Sequence, residues 1–249
     1  MGRPWCGKPL TMPLRSTQPY RLPTLGIRQQ LRAGRLTRRW LQLFAGLLMA
    51  GFSIGLMVEA HLGMDPWNVL HEGLTHFLPL SFGMVTIVSG LAVLLLWVPL
   101  RQPLGMGTVV NTVLVGLVVD VSLWALPTPG SLLVRTLFLV VGLVLCGAAG
   151  AVYLGSHLGP GPRDGLMTGL VARTGRSVRL VRTGLELGVL MVGFLLGGTA
   201  GAGTVLFAVA MGPLIQFFLP RVAVPITVPD RQPQDAGAGI AGHAPDASV

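Results

Sequence analysis

Apolar residues fall into six long runs along this 249-residue chain, with the polar residues gathered between them. The runs extend from about Trp40 to Ala60, Phe82 to Leu100, Gly107 to Leu126, Leu132 to Leu154, Val181 to Gly197 and Thr204 to Leu219. Stretches of ~20 apolar residues match what an α-helix needs to cross ~30 Å of hydrocarbon, whereas barrel strands would alternate over ~10 residues. The pattern predicts six transmembrane helices. The segment from Asp65 to Leu78 does not fit it: at ~14 residues it is too short to span, and it holds Asp65, Asn68, His71, Glu72 and His76. A second such segment carries Arg163, Asp164 and Arg173. An Arg or Asp at the bilayer centre costs at least ~2.5 kcal/mol on insertion scales, so this segment is still less able to cross.

The two short segments are part of a repetition. His61-Leu62-Gly63 returns as His157-Leu158-Gly159, at an offset of 157 − 61 = 96. The same offset carries Pro66 onto Pro162, Gly73-Leu74 onto Gly169-Leu170, Ser81 onto Ser177, and the Gly105 to Val109 stretch onto Gly201 to Val205. Internal similarity in an apolar chain is the mark of transporter folds built from repeats. If the short segments crossed, each half would hold four crossings and the copies would be parallel. Their length and charge favour three crossings per half, an odd number, which inverts the second copy. The expectation is an all-α polytopic membrane protein. It has about six transmembrane helices arranged as two inverted three-helix repeats, residues 37–126 and 132–220, each with a short re-entrant or interfacial motif helix.

The starts of the motif helices are legible. In Gly63-Met64-Asp65-Pro66-Trp67-Asn68, Asp65 can cap and Pro66 suits the first helical position, predicting a helix from Pro66 to Phe77. In Gly159-Pro160-Gly161-Pro162-Arg163-Asp164, Gly161 takes the cap position and Asp164 the first turn, where a carboxylate complements the helix dipole. Broken helices of this kind form midplane sites in secondary transporters. The plainer alternative is a turn-and-cap element whose polar groups serve only their own backbone.

Composition agrees with the pattern. Half of the residues are hydrophobic (51%), 11% are charged, and the mean hydropathy is +0.69, far from a globular domain with about a quarter of its residues charged. Nine of the 18 basic residues precede Trp40, which by the positive-inside rule places the amino terminus, and with six crossings both termini, on the cytoplasmic side. Residues 1–36, rich in Arg and Pro, read as a disordered basic tail, or as the product of a start upstream of the true one, with Met12 an alternative. Residues 225–249 read as a second disordered tail. Cys6 and Cys146 are too few for a disulfide framework or a CxxC metal site. No HExxH or GxSxG motif is present, and the glycine runs lack a P-loop lysine, so no enzyme, cofactor or metal is expected. The basic charge is loop-borne and fits topology rather than nucleic acid.

The candidate substrate-binding residues are Asp65, Asn68, His71 and Glu72 in the first motif, Arg163 and Asp164 in the second, and Arg182 with Glu186 in the fifth span. Arg182 and Glu186 stand four apart and can pair on one helix face, either as a structural tie or as part of a coupling site. Asp120 and Glu59 fall near span ends, where solvation accounts for them. His61 and His157 suit carbonyls at span ends. Gly142, Gly147, Ala148, Ala149 and Gly150 suit close helix approach.

From about Arg39 to Leu219 the chain resembles the YczE-like bacterial integral membrane proteins, grouped with the YyaS and YitT proteins. The resemblance lies in Gly159 to Met167, Val181-Arg182-Thr183 with Glu186, Leu196-Gly197-Gly198 through Val205, and Gly212-Pro213. Asp65 to His71 is similar to the family's first motif, with Asn68 where an acid is commoner. The resemblance implies a multi-pass plasma-membrane protein and assigns no catalytic residue. Two functions follow as expectations. The first is a small secondary transporter or exporter, its substrate a small amphiphilic, lipid-like or anionic solute met by a helix N-terminus and Arg163. The second is an accessory or regulatory membrane protein that binds a protein or lipid partner. Oligomeric state is left open.

Overall fold

The computed structural model describes residues 34–224, so both predicted tails, Cys6 and Met12 lie outside the described residues. Eight helices and no strand occur among those described: α1 (Leu36–Ala60), α2 (Pro66–Thr75), α3 (Phe82–Leu100), α4 (Met106–Ala125), α5 (Leu132–Leu154), α6 (Pro162–Thr174), α7 (Val178–Leu195) and α8 (Ala202–Val222). Each start in the second four lies 96 residues after its counterpart, as in 132 − 36 and 202 − 106. The short helices α2 and α6 are the motif helices, and they begin at Pro66 and Pro162 as the capping pattern predicts.

Five helices, α1, α3, α4, α5 and α8, are long and apolar enough to cross a membrane. The expected sixth span, Val181 to Gly197, forms α7 but falls short of them. It starts earlier, because Ser177 Oγ accepts from Leu180 N–H, and so takes in Arg179 as well as Arg182 and Glu186. At 18 residues α7 is still ~27 Å long.

Contacts fix the helix directions. The start of α1 meets the end of α5: Arg39 donates to Ser156 O at 2.7 Å and His157 O at 2.8 Å. Farther along, Met57 of α1 lies against Gly142 of α5, so these counterpart helices run antiparallel. Gln42 Nε2 donates to both Val152 O and Val222 O at 2.9 Å, which puts the start of α1 and the ends of α5 and α8 at one end of the bundle. Contacts recur between the halves with the roles exchanged. Gly107 N–H donates to Leu158 O at 2.9 Å, and 96 residues on, Gly203 N–H donates to Leu62 O at 2.8 Å. These crossings demand glycine, since a methyl group on Gly203 would stand 2.1 Å from Gly63 O. His61 and His157 both take positive φ, 49° and 55°, the first at the C-cap of its helix and the second in the turn just beyond.

With lipid outside, helix association rests on close packing of small residues rather than on hydrophobic transfer. Gly46 sits on Tyr153, Gly51 on Val118, Gly55 on Ser122 and Gly147 on Leu214. Met57, Ala60, Met64, Val119, Leu139 and Phe207 form a dry cluster at the end of the bundle opposite the start of α1. The counterpart packing is regular except in one place. Helix α2 packs on α7 as α6 does on α3, and α1 on α4 as α5 does on α8. Helix α3 packs along α4, however, and α7 does not pack along α8.

Candidate functional site

The motif helices bring their N-termini together. Asp65 caps α2, accepting from Trp67 N–H at 3.2 Å and Asn68 N–H at 3.4 Å, and the same carboxylate pairs with Arg163 of α6 at 3.3 Å. Asp65 is buried while Arg163 is half-exposed, facing open space. From this meeting point α2 and α6 diverge. Helix α2 ends beside the end of α7, where Gly73 packs on Gly193 and Leu196, and α6 ends beside the end of α3, where Gly169 packs on Leu100. Because α1 and α5 run antiparallel, those two ends point to opposite sides.

A cavity of about 500 Å³ lies at the meeting point and takes lining from all eight helices. One wall is a polar chain. Asn68 Nδ2 donates to Asp65, Asn68 Oδ1 lies 3.3 Å from His71 Nδ1, and His71 Nε2 lies 2.7 Å from Ser89 Oγ, with Thr86 Oγ1 3.2 Å from Nδ1. The opposite wall holds Asp164, whose Oδ2 accepts from Tyr153 OH at 3.0 Å. Trp97 Nε1 donates to Pro162 O at 3.0 Å and lies under Gly165, where any side chain would strike its ring; this contact sets the tilt of α6. Helix α7 closes the outer side with Arg182 and Glu186, paired at 2.9 Å.

Of the predicted residues, Asp65, Asn68, His71, Arg163, Asp164, Arg182 and Glu186 line this one cavity. Glu72 does not: its carboxylate turns away to accept from the N–H and hydroxyl of Thr199, tying α2 to the turn before α8. Asp120, partly exposed near the end of α4, also accepts from Ser81 Oγ at 2.5 Å and Gly83 N–H at 2.7 Å, clamping the start of α3 to α4. Glu59 has Oε2 buried without a hydrogen-bond partner among the described residues. The His157 ring nitrogens are buried without a full hydrogen bond among the described residues, although the Val224 backbone lies close enough to favour the charged ring. Burial, then the Arg39 charge, holds it below the ordinary imidazole value.

Sequence reading missed Tyr153, Asn111, Thr86 and Ser89, all in the cavity wall. Single hydroxyls and amides inside apolar runs are tolerated on any helix face. The one available signal was that Thr86 and Ser89 lie three apart, on one face of α3.

A bundle of long apolar helices with two short polar helices whose N-termini meet within it defines a polytopic helical membrane protein. The chain belongs to the family described as "Family of unknown function (DUF6198)", whose model matches residues 37–220. It is 42% identical over 181 residues to a protein of Haemophilus influenzae, covering 73% of this chain and 83% of that one. To the membrane protein YczE of Bacillus subtilis it is 34% identical over 189 residues, 75% of this chain and 87% of the relative, and to YyaS of the same organism 26% over 182 residues, 71% and 90%. The resemblance to YczE and YyaS read from the motifs holds. No solved structure matches the chain.

Proposed function

We propose that this protein is a small secondary transporter, built as an inverted duplication around the central cavity. The observation that carries the reading is the pairing of Asp65 with Arg163, which joins two half-helices from opposite halves at their N-termini inside a cavity. Half-helices meeting at mid-depth let a chain present polar groups there without exposing unsatisfied backbone to lipid. The two ends of the cavity differ. Toward the end opposite the start of α1 it is capped by the Met57, Ala60, Met64 and Leu139 cluster, while Tyr153, Ile215 and Leu219 carry it toward the other. Arg38, Arg101, Arg173, Arg176 and Arg179 belong to the latter end and Arg135 to the former, so the positive-inside rule makes the termini cytoplasmic and this conformation inward-facing. Alternating access then requires the halves to rock about the Asp65–Arg163 contact.

The test is solute counterflow in proteoliposomes across a panel of small amphiphiles and organic ions. Wild type is expected to exchange at least one, and Asp164→Ala and Glu186→Gln to lose that exchange. Unchanged flux in both variants would remove these residues from the mechanism. No flux for any solute, together with a protein that co-purifies in fixed ratio, would favour the accessory role.

A further inference from the structure

The missing α7–α8 contact and the charges of the cavity point to one class of ligand. At the α3–α4 seam a methyl group on Gly83 would stand 2.0 Å from Gly116 O, and one on Gly116 would stand 2.5 Å from Ile87. The counterpart seam is open. Gly212, at the position matching Gly116, has nothing within 4 Å of where a side chain would start, and neither do Gly184 and Gly188 on α7. Both lips of this gap line the cavity, Leu185 and Glu186 from α7, Met211 and Ile215 from α8. The cavity therefore borders a gap that faces the surrounding hydrocarbon.

Three carboxylates and two guanidiniums line the cavity: Asp65, Asp164 and Glu186 against Arg163 and Arg182. Asp65 is paired with Arg163 and Glu186 with Arg182, whereas the hydrogen-bond partner of Asp164 is the neutral Tyr153 hydroxyl. His71 is held on both ring nitrogens by neutral groups. Arg163 is also within electrostatic reach of Asp164, and among the described lining residues the carboxylates outnumber the guanidiniums by one, a formal balance opposite in sign to what an anionic solute would need. A carboxylate in a low-dielectric wall is best matched by a cation. The adjacent walls carry Trp67, Tyr153 and Phe207, whose ring faces attract cations, and the polarizable Met167 and Met211.

We propose that the cavity takes an organic cation with an apolar body, which enters sideways from the bilayer between α7 and α8 and places its charge at Asp164. This rests on the cavity being the transport site, and so its test reads binding rather than flux. Full-length protein in lipid nanodiscs is titrated with benzyltrimethylammonium and, separately, benzenesulfonate, with empty nanodiscs as the blank. Saturable binding of the cation at least tenfold tighter than of the anion is expected. The other groups facing the site, Asp65, His71, Cys146, Tyr153, Arg163, Arg182 and Glu186, are unchanged in Asp164→Asn, which is expected to lose at least tenfold in cation affinity. Gly212→Trp, placed in open space, is expected to slow association tenfold by plugging the seam. Equal or tighter anion binding by wild type overturns the proposal without any variant having to fold. Cation affinity unchanged in Asp164→Asn, or association unchanged in a folded Gly212→Trp, overturns it as well. Cation binding without flux would leave this inference standing and remove the transporter reading. Flux of an anion without cation binding would do the reverse.

Discussion

Two seams at matching places in the halves have opposite fates. Between α3 and α4, Gly83 and Gly116 let the backbones touch, and Asp120 clamps the start of α3 by accepting from Ser81 and Gly83. Shifted by 96 residues, the same positions hold Arg179, Gly212 and Gln216. Arg179 is too large for the glycine contact, and Gln216 brings no charge to the helix start. Only Gly212 survives, facing nothing. The capping serine is kept, so α7 forms as a helix just as α3 does. What differs is the means of docking it. A helix can thus be conserved as a local element while its packing is released, and here the released helix is the one that brings Arg182 and Glu186 to the cavity.

The sharpest way to break this comparison is cross-linking in a background with Cys6 and Cys146 replaced by Ala. Ile87→Cys with Gly116→Cys is expected to form a disulfide nearly completely, because the side chains start within bonding reach. Thr183→Cys with Gly212→Cys, the matching pair, is expected to form none on an SDS gel. Equal cross-linking at both seams would abolish the distinction.

Next in size is overpacking. Gly116→Val is expected to cost about 3 kcal/mol, since the new side chain meets Ile87 and Gly83 O, whereas Gly212→Val should stay within ~0.5 kcal/mol. Thermal unfolding of the two variants in the same detergent distinguishes these. A similar loss in both would mean that α8 is packed at Gly212 after all.

Asp120→Asn keeps the shape and removes the charge from two hydrogen bonds. About 1–2 kcal/mol is expected, by urea or thermal denaturation, with α3 loosened first. Hydrogen exchange at the α3 start no faster than in wild type would show that the clamp does not hold the seam. The smallest effect is at the open side. Glu186→Gln breaks a partly solvated i,i+4 pair, and stability should change by no more than ~0.5 kcal/mol. A loss of several kcal/mol there would mark the pair as a structural tie for α7.

Much of the site was legible before the structure. Pro66 and Pro162, with Asp65 and Gly161 before them, announced helix starts, and intramembrane charge singled out Arg163, Asp164, Arg182 and Glu186, because such residues need a partner or a cavity. The partners were not legible. Asp65 and Arg163 lie 98 residues apart and meet only because the two halves interlock. Glu72 shows the converse, a charged residue in the right motif whose acceptor role belongs to a turn 127 residues away.

The sequence by itself determined the class of protein, the approximate helix positions and the starts of the two motif helices at Pro66 and Pro162, since these follow from hydropathy, capping and proline, which act within a few residues. It also showed the 96-residue spacing that every helix start obeys. Only the tertiary structure decided which charges share a cavity, which carboxylate takes a neutral hydroxyl as its hydrogen-bond partner, and that one seam is shut and its counterpart open. Those outcomes depend on backbones approaching at glycines and on hydrogen bonds between distant segments, and no local pattern encodes which surface a helix will meet.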